Sequence, residues 1–106
     1  MKLFYQISTH WDREWWLPFQ GFRFKLVKMT EGMLAALESG ALDAFTFDGQ
    51  TVVLEDYLEI RPGERERLHA LIASGKLRVG PWYVMPDELL VSGESLVRNF
   101  LTGHAV

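Results

Sequence analysis

The sequence predicts an α/β chain in which short parallel strands alternate with helices. Three observations predict it. Short apolar runs, Leu3-Phe4-Tyr5-Gln6-Ile7, Ala44-Phe45-Thr46-Phe47 and Leu77 with Val79, carry the aromatic and β-branched residues of buried strands. The stretches between them repeat apolar residues at three- and four-residue steps, the period of a helix. Each run then ends in polar residues. Alternation of this kind argues for βαβ units, a parallel sheet and right-handed crossovers.

Taken in order, the first run leads into Thr9-His10-Trp11-Asp12-Arg13-Glu14-Trp15-Trp16. Leu17-Pro18 and Gly21 mark a loop. Phe22, Leu26, Met29, Met33 and Leu37 share one helical face, and Ser39-Gly40 stops that helix, Gly40 standing as a C′ residue. The second run ends in Asp48-Gly49-Gln50. Leu54, Tyr57 and Leu58 form a short helix that ends near Arg61-Pro62, since the residue before proline avoids helical dihedrals. Pro62 suits the first turn of the next helix. There Leu68, Leu71 and Ile72 face inward, and Glu64 to Arg67 form a solvated face. Ser74-Gly75 closes it. The third strand takes in Leu77 and Val79, then Trp82 and Val84, and ends in Met85-Pro86-Asp87-Glu88. Ser92 caps a last helix with Leu96, Val97, Phe100 and Leu101 on its inner side, and Gly103 ends it.

In a parallel sheet the three polar strand ends lie on one edge. His10 and Asp12, Asp48 and Gln50, and Asp87 and Glu88 thus converge on one rim, where ligand chemistry gathers in α/β sheets. His10 and Asp12 are two residues apart, so on extended backbone both point to one side. An imidazole and a carboxylate so placed can share a metal, a combination that suits zinc. Spacing alone equally fits a strand-end hydrogen bond, and zinc needs three or four ligands. The tryptophans add weight, because an indole offers a flat apolar surface and one donor to the face of a sugar. At least one of the three does ordinary core packing. Asp87 and Glu88 read as structural groups at a strand end, His69 as solvated, and His104 as a C-terminal cap.

Composition bounds the rest. The 106 residues make one domain at most, 48% hydrophobic and 24% charged. A net charge of -3 gives no basic patch for nucleic acid. Without cysteine there is no disulfide framework and no thiolate metal site. No apolar stretch is long enough for a membrane span, and the short interrupted run at the N-terminus does not read as a signal peptide. The simplest location is the cytoplasm. Three parallel strands are too few to close a barrel, and an open sheet this aromatic leaves apolar edges uncovered. The chain is therefore expected to be the first part of a larger barrel, and on its own to self-associate.

His10-Trp11-Asp12-Arg13-Glu14-Trp15 after an N-terminal strand resembles the opening motif of the bacterial glycoside hydrolase family 38 α-mannosidases. Phe47-Asp48-Gly49-Gln50, Leu54-Glu55-Asp56-Tyr57, Gly80-Pro81-Trp82-Tyr83, Asp87-Glu88 and Ser92 to Asn99 look like successive later segments of the same domain. The resemblance implies that residues 1–106 are the N-terminal part of the catalytic domain, the first three strands of a seven-stranded β/α barrel. It implies zinc or another divalent metal, with His10 and Asp12 as two of its ligands. It places Trp15 on the mannose ring and Asp48 at the edge of the sugar site. The nucleophile and the acid/base are expected beyond Val106, so this chain alone is expected to be inactive. Ser8 stands where many relatives have a histidine, a position outside the ligands carried over.

The implied activity is retaining hydrolysis of terminal α-mannosides through a glycosyl-enzyme, in a parent expected to be a homo-oligomer. A close alternative is hydrolysis of mannosylglycerate or its 6-phospho form, for which Arg13 is the one cation in the motif. A carbohydrate deacetylase also combines a β/α barrel with a His/Asp metal site. The alternative from another class is a non-catalytic module that binds a sugar or a protein through its tryptophans.

Overall fold

A computed structural model describes residues 1–106. It is a small α/β arrangement of two short parallel strands and four helices. The order is α1 (Phe19–Ser39), β1 (Phe45–Thr46), α2 (Val52–Ile60), a 3₁₀ turn (Pro62–Glu64), α3 (Arg65–Ala73), β2 (Leu77–Arg78) and α4 (Gly93–Ala105).

The strands pair in parallel, Phe45 opposite Leu77 and Thr46 opposite Arg78. Two parallel bridges extend the pairing, Ser8 to Thr46 on one side and Gln50 to Trp82 on the other. The segments of residues 7–9, 45–47 and 77–79 thus lie side by side in the predicted order. The outer two are shorter than the sequence suggests. Residues 3–6 form no strand; the backbone pairing reduces to the Thr46 amide on the Ile7 carbonyl at 3.0 Å and the Thr9 amide on the Thr46 carbonyl at 3.3 Å. Leu3, Phe4 and Tyr5 are exposed, with nothing of this chain packed over them. Regular pairing in the third segment stops at Arg78. The chain rejoins its neighbour only at Trp82, whose amide donates to the Gly49 carbonyl at 3.0 Å.

The core lies between the strands and the first three helices. Leu26, Met33, Leu34 and Leu37 of α1 pack with Phe45, Phe47 and Leu77 of the sheet region, Val53, Leu54 and Tyr57 of α2, and Leu68 and Leu71 of α3. The stripe on α1 follows the predicted spacing, with Met29 half-buried at its edge. Gly40 adopts φ 77° as the C-terminal cap, a region that glycine occupies without a Cβ penalty.

The last helix departs from expectation twice. Ser92 caps it as predicted, its hydroxyl accepting the Ser95 amide at 3.2 Å. Gly103 does not end it; the helix runs on to Ala105, and Gly103 is buried at a crossing. A Cβ there would overlap the Pro81 carbonyl and the backbone of Trp82 and Tyr83. The predicted inner face is mostly open: Val97, Phe100 and Leu101 are exposed and Leu96 half-buried. Its one aromatic partner is Trp82, edge-on to Phe100 at 5.4 Å. The helix is anchored instead by Asn99, whose amide donates to the Val84 carbonyl at 2.7 Å and accepts the Val84 amide at 2.9 Å.

No helix is long and apolar enough to cross a membrane.

Candidate functional site

The motif of residues 9–16 has no regular secondary structure, so its shape depends on tethers. Three of them start from the end of the second strand segment, braced by a fourth bond between its own residues. The Trp11 amide donates to Asp48 Oδ2 at 2.7 Å. The Trp11 carbonyl accepts from Gln50 Nε2 at 2.7 Å, and the same nitrogen reaches Asp48 Oδ2 at 3.1 Å. The Asp48 amide donates to the Thr9 hydroxyl at 3.3 Å. Both backbone groups of Trp11 are therefore held by side chains two residues apart, at the polar strand end the sequence singled out. The Trp11 ring turns inward and meets Phe22 edge-on at 6.2 Å.

A second set of tethers leaves no mark in the spacing of the sequence. Arg13 forms a two-pronged ion pair with Asp56 of α2, Nε to Oδ2 at 2.7 Å and Nη2 to Oδ1 at 2.8 Å. Arg23 of α1 lies buried beneath it. Its Nε donates to the Asp56 carbonyl at 3.0 Å, and its Nη2 makes a close ion pair with Glu59 that lacks hydrogen-bond alignment. The Phe19 ring lies against both guanidiniums, 4.9 Å from that of Arg13 and 5.6 Å from that of Arg23, within cation–π range. The hydrogen bonds that Arg13 donates to Asp56 hold its guanidinium above its ordinary pKa. The available signal was a charge at Arg23 on the apolar side of a helix, and Asp56 amid Leu54 and Tyr57.

These tethers present His10 and Asp12 outward. The His10 side chain is 85% exposed and that of Asp12 38%, with His10 Nε2 3.8 Å from Asp12 Oδ2. His10 Nδ1 lies 3.8 Å from Asp48 Oδ1, and the Asp48 side chain is only 10% exposed. Two ligands of one tetrahedral zinc at bond lengths of about 2.1 Å lie roughly 3.4 Å apart, so the His10–Asp12 separation is near what a shared ion requires. The donor types suit zinc too. The chain brings together two outward donors, and no group of three or more His, Cys, Asp or Glu side chains is placed to hold an ion. What these residues fit is half of a ligand shell.

The tryptophans divide by environment. Trp15 is 76% exposed. Trp16 stands edge-on to Phe22 at 5.4 Å and carries Lys25 Nζ 4.0 Å above its ring. Trp11 does the core packing expected of at least one of the three.

The third polar strand end does not join this cluster. Asp87 and Glu88 are exposed, and Asp87 closes a local turn with its Oδ1 on the Leu89 amide at 3.3 Å and its carbonyl on the Leu90 amide at 3.0 Å. Tyr83 comes closer. Its hydroxyl donates to Glu55 Oε2 at 2.8 Å. That bond to a carboxylate, then burial, holds the phenol above its ordinary pKa. His69 is exposed, and His104 bonds the Phe100 carbonyl at 3.0 Å in the last helical turn, both as the sequence suggests.

The whole chain, residues 1–106, matches the model of the glycosyl hydrolases family 38 N-terminal domain. The chain belongs to glycosyl hydrolase family 38. Within this family it is similar to an α-mannosidase from Enterococcus faecalis V583, with a TM-score of 0.89 and 40% identity over 94% of this chain and 11% of that one. A second family 38 structure from Enterococcus faecalis superposes with a TM-score of 0.82 at 37% identity, over 95% of this chain and 12% of the other. In sequence it is 43% identical over 96 residues to a candidate mannosylglycerate hydrolase of Halalkalibacterium halodurans, which covers 90% of this chain and 11% of the relative. The chain thus spans about a tenth of the length of the relatives it matches.

Proposed function

We propose that this segment is the opening part of the catalytic barrel of a retaining, metal-dependent α-mannosidase that removes terminal α-mannosides. In this reading His10 and Asp12 supply two ligands of a divalent metal, zinc by preference. Trp15 stacks on the mannose ring, and Asp48 borders the sugar while fixing the motif. The metal, when bound, supplies positive charge for sugar hydroxyls. This chain's own residues hold the ion, orient the ring and exclude water from one of its faces. The nucleophile and the acid/base belong to the part of the protein outside residues 1–106.

The observation that carries the reading is the outward pairing of His10 with Asp12 beside a tryptophan that nothing in the chain buries. A core role would have buried these groups, and a cap would have aimed one of them at a backbone amide. Family membership and the 40% identical α-mannosidase point the same way. The alternative, mannosylglycerate as substrate, draws on the Halalkalibacterium halodurans relative. An assay of the protein carrying this segment with para-nitrophenyl α-mannoside, its β-anomer and mannosylglycerate tests the proposal. Cleavage of the α-mannoside with retained anomeric configuration, lost in His10→Ala, is the expected result. Turnover of mannosylglycerate alone favours the alternative. No turnover of any of the three overturns the hydrolase reading.

The isolated 106-residue polypeptide is expected to self-associate. Phe4, Tyr5, Leu89, Leu90 and Leu101 are all exposed in it, and its short parallel sheet has open edges. A single monomeric mass by light scattering would count against this.

A further inference from the structure

Asp12 lies between two anchored residues. On one side both backbone groups of Trp11 are held by Asp48 and Gln50. On the other the side chain of Arg13 is held by Asp56. The two anchors come from different elements, the end of the second strand segment and the middle of α2, so together they fix a loop that has no ladder of its own.

The second anchor is built in depth. The Asp56 side chain is 7% exposed, and both its oxygens are engaged by Arg13. Its backbone carbonyl is engaged by Arg23, whose side chain is 6% exposed. The Phe19 ring touches both guanidiniums. A planar fork meeting a carboxylate with two parallel bonds fixes direction as well as distance, which a lysine cannot reproduce. A group committed in this way is a poor receptor for an anionic substrate, because binding one would require giving up a partly buried ion pair.

We propose that Arg13 is a positioning residue rather than a substrate contact: the Arg13–Asp56 pair, backed by Arg23 and Phe19, sets the placement of Asp12 for the metal and of Trp15 for the sugar. The inference rests on the reading of His10 and Asp12 as metal ligands for its consequence. The clamp itself is independent of the metal. Partners of this kind that orient ligand-bearing groups change metal affinity by about 10–100-fold when altered.

The experiment uses the full protein that carries this segment, with Asp56→Asn and Arg13→Lys. Asn cannot accept both prongs, and Lys keeps the charge while losing the fork. Three quantities are read: trypsin cleavage at the Arg13–Glu14 bond under native conditions, zinc dissociation constant by competition with a chelator, and kcat/KM for a neutral and an anionic α-mannoside. Glu38→Gln, which loosens the exposed Arg67 pair between α1 and α3, serves as a control for general destabilisation.

Asp56→Asn is expected to open the Arg13–Glu14 bond to trypsin while the other basic sites stay resistant, and to weaken zinc binding at least tenfold. Arg13→Lys is expected to weaken zinc by a smaller factor and to lower kcat/KM equally for both substrates. Three results overturn the proposal. One is an Arg13–Glu14 bond as resistant in Asp56→Asn as in the parent. Another is zinc affinity unchanged in both variants, or reduced no more than in Glu38→Gln. The third is a selective loss of the anionic substrate in Arg13→Lys, which would make Arg13 its receptor. If the parent binds no zinc, the metal reading fails, and the cleavage pattern alone still decides the clamp.

Discussion

Asp48 Oδ2 accepts the backbone amide of Trp11 across 37 residues of sequence, at 2.7 Å. The contact joins the end of one strand segment to the motif at the end of its neighbour. It is made by a side chain only 10% exposed, with Gln50 sharing the same oxygen. Removing the carboxylate leaves the Trp11 amide and one Gln50 donor unsatisfied in a partly buried place. Each such group costs about 1–3 kcal/mol. Asp48→Ala is therefore expected to lower unfolding free energy by about 2–6 kcal/mol. Asp48→Asn, which keeps one acceptor for Trp11, costs less. Denaturant unfolding of the two variants checks the order, and equal stabilities in parent and Asp48→Ala would remove Asp48 from this role.

Trp15 and Trp11 offer a contrast within four residues. Trp11 packs on Phe22, and Trp15 has 76% of its surface free. Substitution of Trp15 by Ala is expected to leave stability within about 0.5 kcal/mol, as for surface positions without partners. It should also weaken binding of an α-mannoside by about tenfold, the loss of roughly 1.4 kcal/mol of stacking. Trp11→Ala should do the reverse in stability, costing several kcal/mol as a large core truncation does. Thermal unfolding and inhibitor titration on both variants separate the roles. A Trp15→Ala protein that unfolds early would place this ring in the core instead.

The alternating pattern, the α1 stripe, the Gly40 and Ser92 caps, and the meeting of His10 and Asp12 with Asp48 were legible because local rules determine them. Period, capping chemistry and strand-end position are written within a few residues. The Arg13–Asp56–Arg23 set was not legible, since it joins residues 43 and 33 positions apart through side-chain geometry. Residues 3–6 illustrate a different limit. Their composition is that of a strand, yet pairing and burial need neighbours, and in this chain only the segment at Thr46 supplies any. The open face of α4 has the same cause. Gly103 reads as a stop in the sequence because glycine serves equally as a helix stop and as a point of close approach, and only the crossing chain decides between them.

That crossing makes Gly103 a sharp test of how α4 docks. The backbone of residues 81–83 occupies the place of a Cβ, and backbone cannot rotate aside as a side chain can. Gly103→Ala gains helix propensity of about 1 kcal/mol, but overpacking costs about 1–3 kcal/mol and displaces the two bonds between Asn99 and Val84. The net expectation is destabilisation. Asn99→Ala should match it in direction, by about 1–2 kcal/mol for the lost pair of hydrogen bonds. The two losses should not add in the double variant, because either one releases the same helix. Additive losses would mean that Gly103 and Asn99 hold different things.

Tyr83 gives the pH dependence. Its hydroxyl donates to Glu55, so ionising the phenol breaks that bond and sets two anions together. The folded-state pKa is therefore raised above the unfolded value of about 10. A group raised in this way binds its proton more tightly in the folded state. Its contribution is fully present below the unfolded pKa and is lost as pH rises through the folded one. Tyr57 acts with the same sign for another reason, since burial raises its pKa and its hydroxyl has no hydrogen-bond partner. Stability is thus expected to fall on the alkaline side, with two of the three tyrosines ionising later than free phenol. Glu55→Gln should return Tyr83 toward the ordinary value and leave Tyr57 unmoved. Ultraviolet absorbance titration of the parent, Glu55→Gln and Tyr83→Phe follows each group, and a Tyr83 that titrates at the same pH in the parent and in Glu55→Gln would break the link to Glu55.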